Sequence, residues 1–386
     1  MKKSNIRAIP IFFAFLCMGF GDVAGPLTSQ IQNEFQLSNF LAGFITFAGF
    51  ISFGLLSIPI GLYQDKKGKK HILILGLIVA FLGLILPIIG QFSSFLLLLI
   101  SILLLGIGAT TLQVAGNPIM RDVSPSGKYS RNLSYGQFIK AIGSLSGAVI
   151  PMIAANYFGL DWKILFPVYS VIILITVIYI WMTKIEEKQN SEKEVATFSS
   201  CFNLLKNKYI ALMVFGIFLY VGSEVTMSAR LPSYLVDQYN IDVEKFALGG
   251  TSLFFVALML GRFLGGVILN KMQPKRFLII TSMISLAGIL GLFIPAGQFM
   301  AFMFIFIIGL GFANIFPLIF SITIDAYPNR SNEISGLMVT AIIGGAIVPL
   351  LFGVIADLAD NILLGFIVPI ICILYIIYLS FQTKNL

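Results

Sequence analysis

Three ionisable side chains stand inside long apolar runs: Asp22 in FLCMGFGDVAGPL, Lys140 in SYGQFIKAIGS and Glu224 in FLYVGSEVTMS. A charge in such a run costs about 2.5–3.5 kcal/mol on membrane-insertion scales unless it is paired or hydrated, so each one points to a function. A carboxylate there can take up and release a proton or a sodium ion, which makes Asp22, Glu224 and the amine of Lys140 candidates for ion coupling. Neutral polar groups accompany them. Gln113, Asn117, Gln137 and Asn314 each offer both donor and acceptor, as a polyhydroxylated solute requires. Tyr220 lies four residues before Glu224, hence on the same helical face, and offers a ring for stacking or for packing. The expected solute contacts are therefore Asp22, Gln113, Asn117, Gln137, Lys140, Tyr220, Glu224 and Asn314.

Two arrangements of the charges are open. Lys140 can pair with Asp22 and be released by protonation or by solute, or it can face the solute and favour an anionic sugar derivative. Arg230 and Arg262 are possible partners of Glu224, although Arg262 and Asp325 fall toward the ends of their runs and are read as gating or snorkelling residues. Gly25-Pro26 follows Asp22, Pro118 follows Asn117 and Pro317 follows Asn314, so a helix break is expected at each place. Enzymatic chemistry finds little to use. His71 is the only histidine, the three cysteines (Cys17, Cys201, Cys372) are scattered, and no nucleophile-plus-base motif is present, so neither a metal cluster nor a cofactor beyond a coupling ion is expected.

The elements that must carry these residues follow from composition. Of 386 residues, 58% are hydrophobic and 11% charged, against roughly 25% charged in ordinary soluble domains, so the solvent is lipid. Twelve apolar runs qualify as spans, at about 9–30, 38–63, 71–90, 94–120, 132–157, 162–183, 208–232, 246–270, 275–294, 298–325, 333–356 and 361–381. With both termini cytoplasmic, most of the 25 basic residues collect on the inside, which accounts for the net charge of +8 without nucleic acid. Residues 184–207 are polar, charged and long, and are read as a solvated connector that divides the chain into bundles 1–183 and 208–386.

The two halves repeat one another. Gly21-Asp22 matches Ser223-Glu224, Gly61 with Asp65 matches Gly266 with Asn270, Gly106-Ile107-Gly108 matches Gly309-Leu310-Gly311, and Gly147 to Pro151 matches Gly345 to Pro349, all displaced by about 200 residues in the same order. An even number of spans per copy gives both copies one orientation, which suits alternating access around a central solute site.

The connection GLYQDKKGKKH, from Gly61 to His71, resembles the signature loop of the major facilitator superfamily, with Gly61, Asp65, Gly68 and Lys69 at its characteristic places. LQVAGNPIM (Leu112 to Met120), SRNLSYGQFIKAIGS, GFGDVAGPL, FLYVGSEVTMS and GFANIFPLIFS resemble the fucose permease branch, the sugar:cation symporters. The resemblance implies an all-α major facilitator fold of twelve transmembrane helices in two pseudo-symmetric six-helix bundles. It further implies a monomeric carrier in the cytoplasmic membrane that moves a monosaccharide with a proton or sodium ion. Asp22 would couple the ion, and Gly61, Asp65, Gly68 and Lys69 would gate, beside Arg262 and Asp325, which are read as gating residues from their position alone. Two residues depart from that pattern: Gln113 stands where some members carry Glu, and Lys140 where a small polar residue is usual. An exporter of drugs or metabolites and a non-transporting nutrient sensor are the rival readings.

Overall fold

The computed structural model describes residues 2–23, 27, 30–32, 34–37, 39–185, 187, 197–240, 251–295 and 297–383, and every regular element among them is helical. The first half of the chain supplies α1 (Lys2–Gly19), α2 (Asn39–Lys67), α3 (Lys69–Ile89), α4 (Phe95–Val123), α5 (Tyr129–Phe158) and α6 (Leu165–Met182). A short α7 (Phe198–Leu204) in the connector precedes α8 (Lys208–Tyr239), α9 (Thr251–Ile268), α10 (Pro274–Gly291), α11 (Gln298–Phe312) and α12 (Ile315–Ala326). The chain closes with α13 (Ser331–Thr340), α14 (Gly344–Ala359), α15 (Ile362–Gly365) and α16 (Ile367–Gln382).

Nine helical segments among the described residues are long and apolar enough to cross a membrane, and the bent pair Tyr129–Gly147 and Val149–Phe158 makes a tenth. Two shorter apolar helices, Ala8–Val23 and Ser252–Ile268, occupy the first and eighth expected spans. The chain is thus an all-α membrane protein, as its composition requires: lipid offers no partner to a free backbone N–H or C=O, and a helix satisfies both internally. Local signals set the ends. Asn207 caps α8 through its side chain, which accepts from the N–H groups of Tyr209 and Ile210, and Gly159 ends α5 in the left-handed conformation that glycine tolerates.

Two features differ from the sequence reading. α8 runs past residue 232 to Tyr239, because Asn240, at φ 51°, supplies the stop. The eleventh span is interrupted by a 3-10 turn, Ala341–Ile343. The tenth span is broken between α11 and α12, where Pro317 led a break to be expected. The break expected at Gly25-Pro26 and the start of the eighth span lie outside the described residues.

Contacts divide the chain into two compact units: Met1–Tyr129, Ile139–Phe202 and Asn329–Thr340 form the first, and Ser130–Phe138, Asn203–Pro328 and Ala341–Leu386 the second. Within each, the repeated glycine motif does the same work. In the first unit a Cβ on Gly106 would overlap the Gly49 carbonyl of α2, and one on Gly108 would meet Gly76 and Ala80 of α3. In the second unit Gly309 faces Phe254 and Ala257 of α9 and Gly311 faces Ser285 of α10. Missing side chains let backbones approach, which is how helices associate where lipid is as apolar as leucine.

Candidate functional site

Close packing of α1 on α5 builds the first polar centre. A Cβ on Gly19 would overlap the Lys140 carbonyl and one on Gly143 the Leu16 carbonyl, so the two helices cross backbone to backbone. α1 then tightens into a 3-10 turn, Phe20–Val23, that carries Asp22 onto the same face of α5. Its Oδ2 accepts a 2.6 Å hydrogen bond from Ser144 Oγ and lies 3.4 Å from Lys140 Nζ. Lys140 also donates to Gln113 Oε1 of α4, at 3.4 Å. The carboxylate side chain keeps 28% of its surface exposed and the lysine 16%, so this is a charge pair with access. Beneath it, Phe20 stacks on Tyr169 with ring centroids 3.7 Å apart, and Tyr169 OH meets Ser146 Oγ at 2.8 Å.

A second polar centre lies within the second unit, around the break in the tenth span. Pro317 has no N–H, so the Ala313 carbonyl, four residues earlier, has no helical partner. Arg262 of α9 donates to it from Nε at 3.3 Å and reaches Glu224 Oε1 of α8 from Nη2, also at 3.3 Å. The Phe312 carbonyl beside it accepts from Tyr220 OH at 3.0 Å. Asn314 fills the gap: its Nδ2 donates to the Gly261 carbonyl at 2.7 Å, and its buried Oδ1 has no partner among the described residues.

The signature loop is tied down at one end of the first unit. A Cβ on Gly61 would come within 2.9 Å of the Asn332 carbonyl, and Asp65 Oδ1 accepts from Asn332 Nδ2 at 2.8 Å. Gly68 turns the chain at φ 88°, a conformation open to glycine, and exposes the first N–H groups of α3. Glu187 of the connector accepts from the N–H groups of Lys69 (2.6 Å) and Lys70 (2.9 Å), and Lys69 Nζ pairs with Asp122 at 2.5 Å. Glu333, buried at the start of α13, accepts from Ser200 Oγ of α7 at 2.6 Å and pairs with Arg330 at 3.0 Å.

The structure joins Asp22, Lys140 and Gln113 and joins Glu224, Arg262 and the turn before Asn314. Other expected residues belong to neither group. Gln137 groups with the second unit, where its buried Nε2 has no partner among the described residues. Asn117 is fully buried with both amide atoms unpartnered among the described residues. No break occurs there: α4 runs through Pro118, because the Val114 carbonyl that this proline frees accepts from Ser335 Oγ at 2.7 Å. Tyr220 does not present its ring to a solute. It is fully buried against Phe312 and Phe316 with its hydroxyl engaged. Arg262 is no snorkelling residue, since it is buried and turned inward to Glu224, whereas Asp325 does sit half-buried at the last turn of α12. The connector is more than a solvated tether at Glu187 and Ser200.

Sequence reasoning overlooked Ser144, Asp122, Glu187 and Glu333. Ser144 was legible in principle, as it lies four residues after Lys140 on one helical face. Among the described residues no cluster of three His, Cys, Asp or Glu stands ready for a metal ion.

Residues 11–348 match the Major Facilitator Superfamily. The chain is 28% identical over 362 residues to a glucose/galactose transporter of Brucella abortus, covering 91% of this chain and 87% of that protein. It is 25% identical over 416 residues to the L-fucose-proton symporter of Escherichia coli, covering 98% and 94%. Among solved structures it resembles FucP, a major facilitator transporter crystallised in the outward conformation, with a TM-score of 0.85 at 23% identity, covering 98% of this chain and all of that one.

Proposed function

Because the chain belongs to the Major Facilitator Superfamily, we propose that it carries a neutral monosaccharide across the cytoplasmic membrane by alternating access, with a proton or sodium ion coupled through Asp22. The observation that carries this reading is the accessible Asp22–Ser144–Lys140–Gln113 cluster, an acid held by a displaceable base beside amide and hydroxyl groups suited to sugar hydroxyls. Relatives named as glucose/galactose and L-fucose transporters support the substrate class. Charge balance supports neutrality: Asp22 offsets Lys140 and Glu224 offsets Arg262, so an anionic sugar would bring a charge that neither centre is left to compensate. In this reading both termini face the cytoplasm, residues 1–183 and 208–386 are the two six-span halves joined by 184–207, and the carrier acts as a monomer.

Labelled D-glucose, D-galactose, L-fucose and a sugar acid, offered to membrane vesicles with and without an imposed proton or sodium gradient, test it. Gradient-driven accumulation of one of the neutral sugars is the expected result. Preference for the sugar acid would reassign Lys140 to the solute, and binding without flux would make the protein a sensor.

A further inference from the structure

The Pro317 carbonyl device has a consequence for the solute centre. Three prolines within the spans free a carbonyl that another side chain then takes: Pro87 leaves Gly83 to Ser101, Pro118 leaves Val114 to Ser335, and Pro317 leaves Ala313 to Arg262. In the first two the donor is a hydroxyl that makes no other polar contact among the described residues. In the third it is a guanidinium whose other edge binds a half-buried carboxylate, Glu224. We infer that Arg262 is a positioning residue that couples the helix break before Asn314 to the set of Glu224, so that the shape of the tenth span and the affinity for solute at Glu224 are one variable.

The argument is geometric. A planar fork can hold two acceptors at once in fixed relative positions, which an ammonium on a flexible stem cannot. Here one acceptor is a side chain on α8 and the other is a main-chain atom at the α11–α12 junction, on either side of α9. Gly261 and Gly265 bring α9 close enough for this: a Cβ on Gly261 would overlap Ala313 and one on Gly265 would overlap the Asn314 side chain. Any residue other than proline at 317 would return an N–H to the Ala313 carbonyl, compete with Arg262 for it and leave the guanidinium anchored to Glu224 alone. Straightening the break and loosening the acid are therefore the same event.

The inference rests on the reading of Glu224 as part of the solute centre, and the test separates the two. Uptake of labelled D-galactose by reconstituted protein is measured for Arg262→Lys, Pro317→Ala and the double variant, with thermal midpoints of the same proteins measured without sugar. Each single change is expected to raise KM about tenfold, the scale of one lost charge-assisted hydrogen bond, while kcat stays within about threefold. The double variant should be no worse than the worse single one, and the thermal shifts should likewise fail to add. As a control, Pro118→Ala combined with Arg262→Lys should multiply. Multiplying penalties in the 262/317 pair, or additive thermal shifts, would overturn the coupling. Wild-type protein that fails to transport any sugar while the thermal cycle is non-additive would remove the transport reading and leave the coupling standing. If Pro317→Ala does not accumulate, Arg262→Lys against Arg262→Gln decides: both should raise KM comparably, because each keeps one contact and loses the other, and a Lys variant indistinguishable from wild type would sink the proposal.

Discussion

The two acid–base pairs within the spans differ in what holds the base. Lys140 touches Asp22 and Gln113 through a single ammonium on a flexible stem, and the acid it neutralises is more than a quarter exposed and already held by Ser144. Arg262 is anchored twice, to Glu224 and to a main-chain carbonyl that Pro317 leaves vacant, and both of its pair's side chains are less exposed. Lysine presents a compact point charge on a flexible stem, whereas arginine holds two acceptors in a fixed fork. The first pair is thus the easier to open. The proposed function has use for one of each: a switch at Asp22 and a fixture at Glu224.

The largest test of that contrast is removal of the base. Arg262→Ala leaves Glu224 charged, enclosed and unpaired, which should cost about 3–5 kcal/mol of stability and lower the thermal midpoint of the purified protein sharply. Lys140→Ala should cost clearly less, because Asp22 keeps the Ser144 hydroxyl and its exposure. Equal losses would erase the distinction between fixture and switch. Next comes removal of the switching acid. Asp22→Asn should abolish gradient-driven accumulation, by at least about a hundredfold, roughly 2.7 kcal/mol of coupling, while equilibrium exchange of sugar survives. Glu224→Gln should weaken sugar affinity and leave the response to the gradient in place. If the two phenotypes are exchanged, the assignment of switch and fixture is reversed.

A subtler change converts one pair into the other. Lys140→Arg preserves charge and reach but supplies a two-edged donor that can hold Asp22 and Gln113 together. Turnover should fall severalfold, with KM changed less than about twofold, because the acid now releases its partner slowly. A faster carrier would show that opening of this pair does not limit the cycle.

How far these features could be read from sequence depends on whether the signal is local. Asp22, Lys140 and Glu224 announce themselves because a charge in an apolar run is costly wherever the helices go. The break at Asn314 is announced by Pro317, since a missing N–H is a covalent fact. The same rule fails at Asn117-Pro118, because whether α4 breaks depends on a distant hydroxyl, Ser335, that takes the freed carbonyl. Arg262 was misplaced for a related reason: its nearness to the end of a run suggests snorkelling, and only the packing of α9 beside the α11–α12 junction gives it two inward acceptors. Ser144 and Glu187 sit in ordinary helical and connector sequence, so nothing but tertiary contact distinguishes them. Tyr220 could serve solute or core on composition alone, and its hydroxyl's bond to the Phe312 carbonyl within the core decided for the core.

The series ends with the acid of the signature loop, Asp65. Asp65 accepts from the amide of Asn332 at 2.8 Å. Cys201 reports on it from outside the spans. Burial pushes that thiol up to about 12, with the negative charges of Glu333 and then Asp65 adding to the shift. Thiolate is the reacting form, so alkylation of Cys201 should be slow at any pH near neutrality. Asp65→Asn removes one of the opposing charges, which favours the thiolate, lowers the pKa and raises the rate at fixed pH. An increase of about two- to fivefold is expected, within the reach of a single partly screened charge. An increase of a hundredfold or more would mean instead that Asp65 holds this end of the first unit closed through its contacts, a larger role than its charge alone gives it.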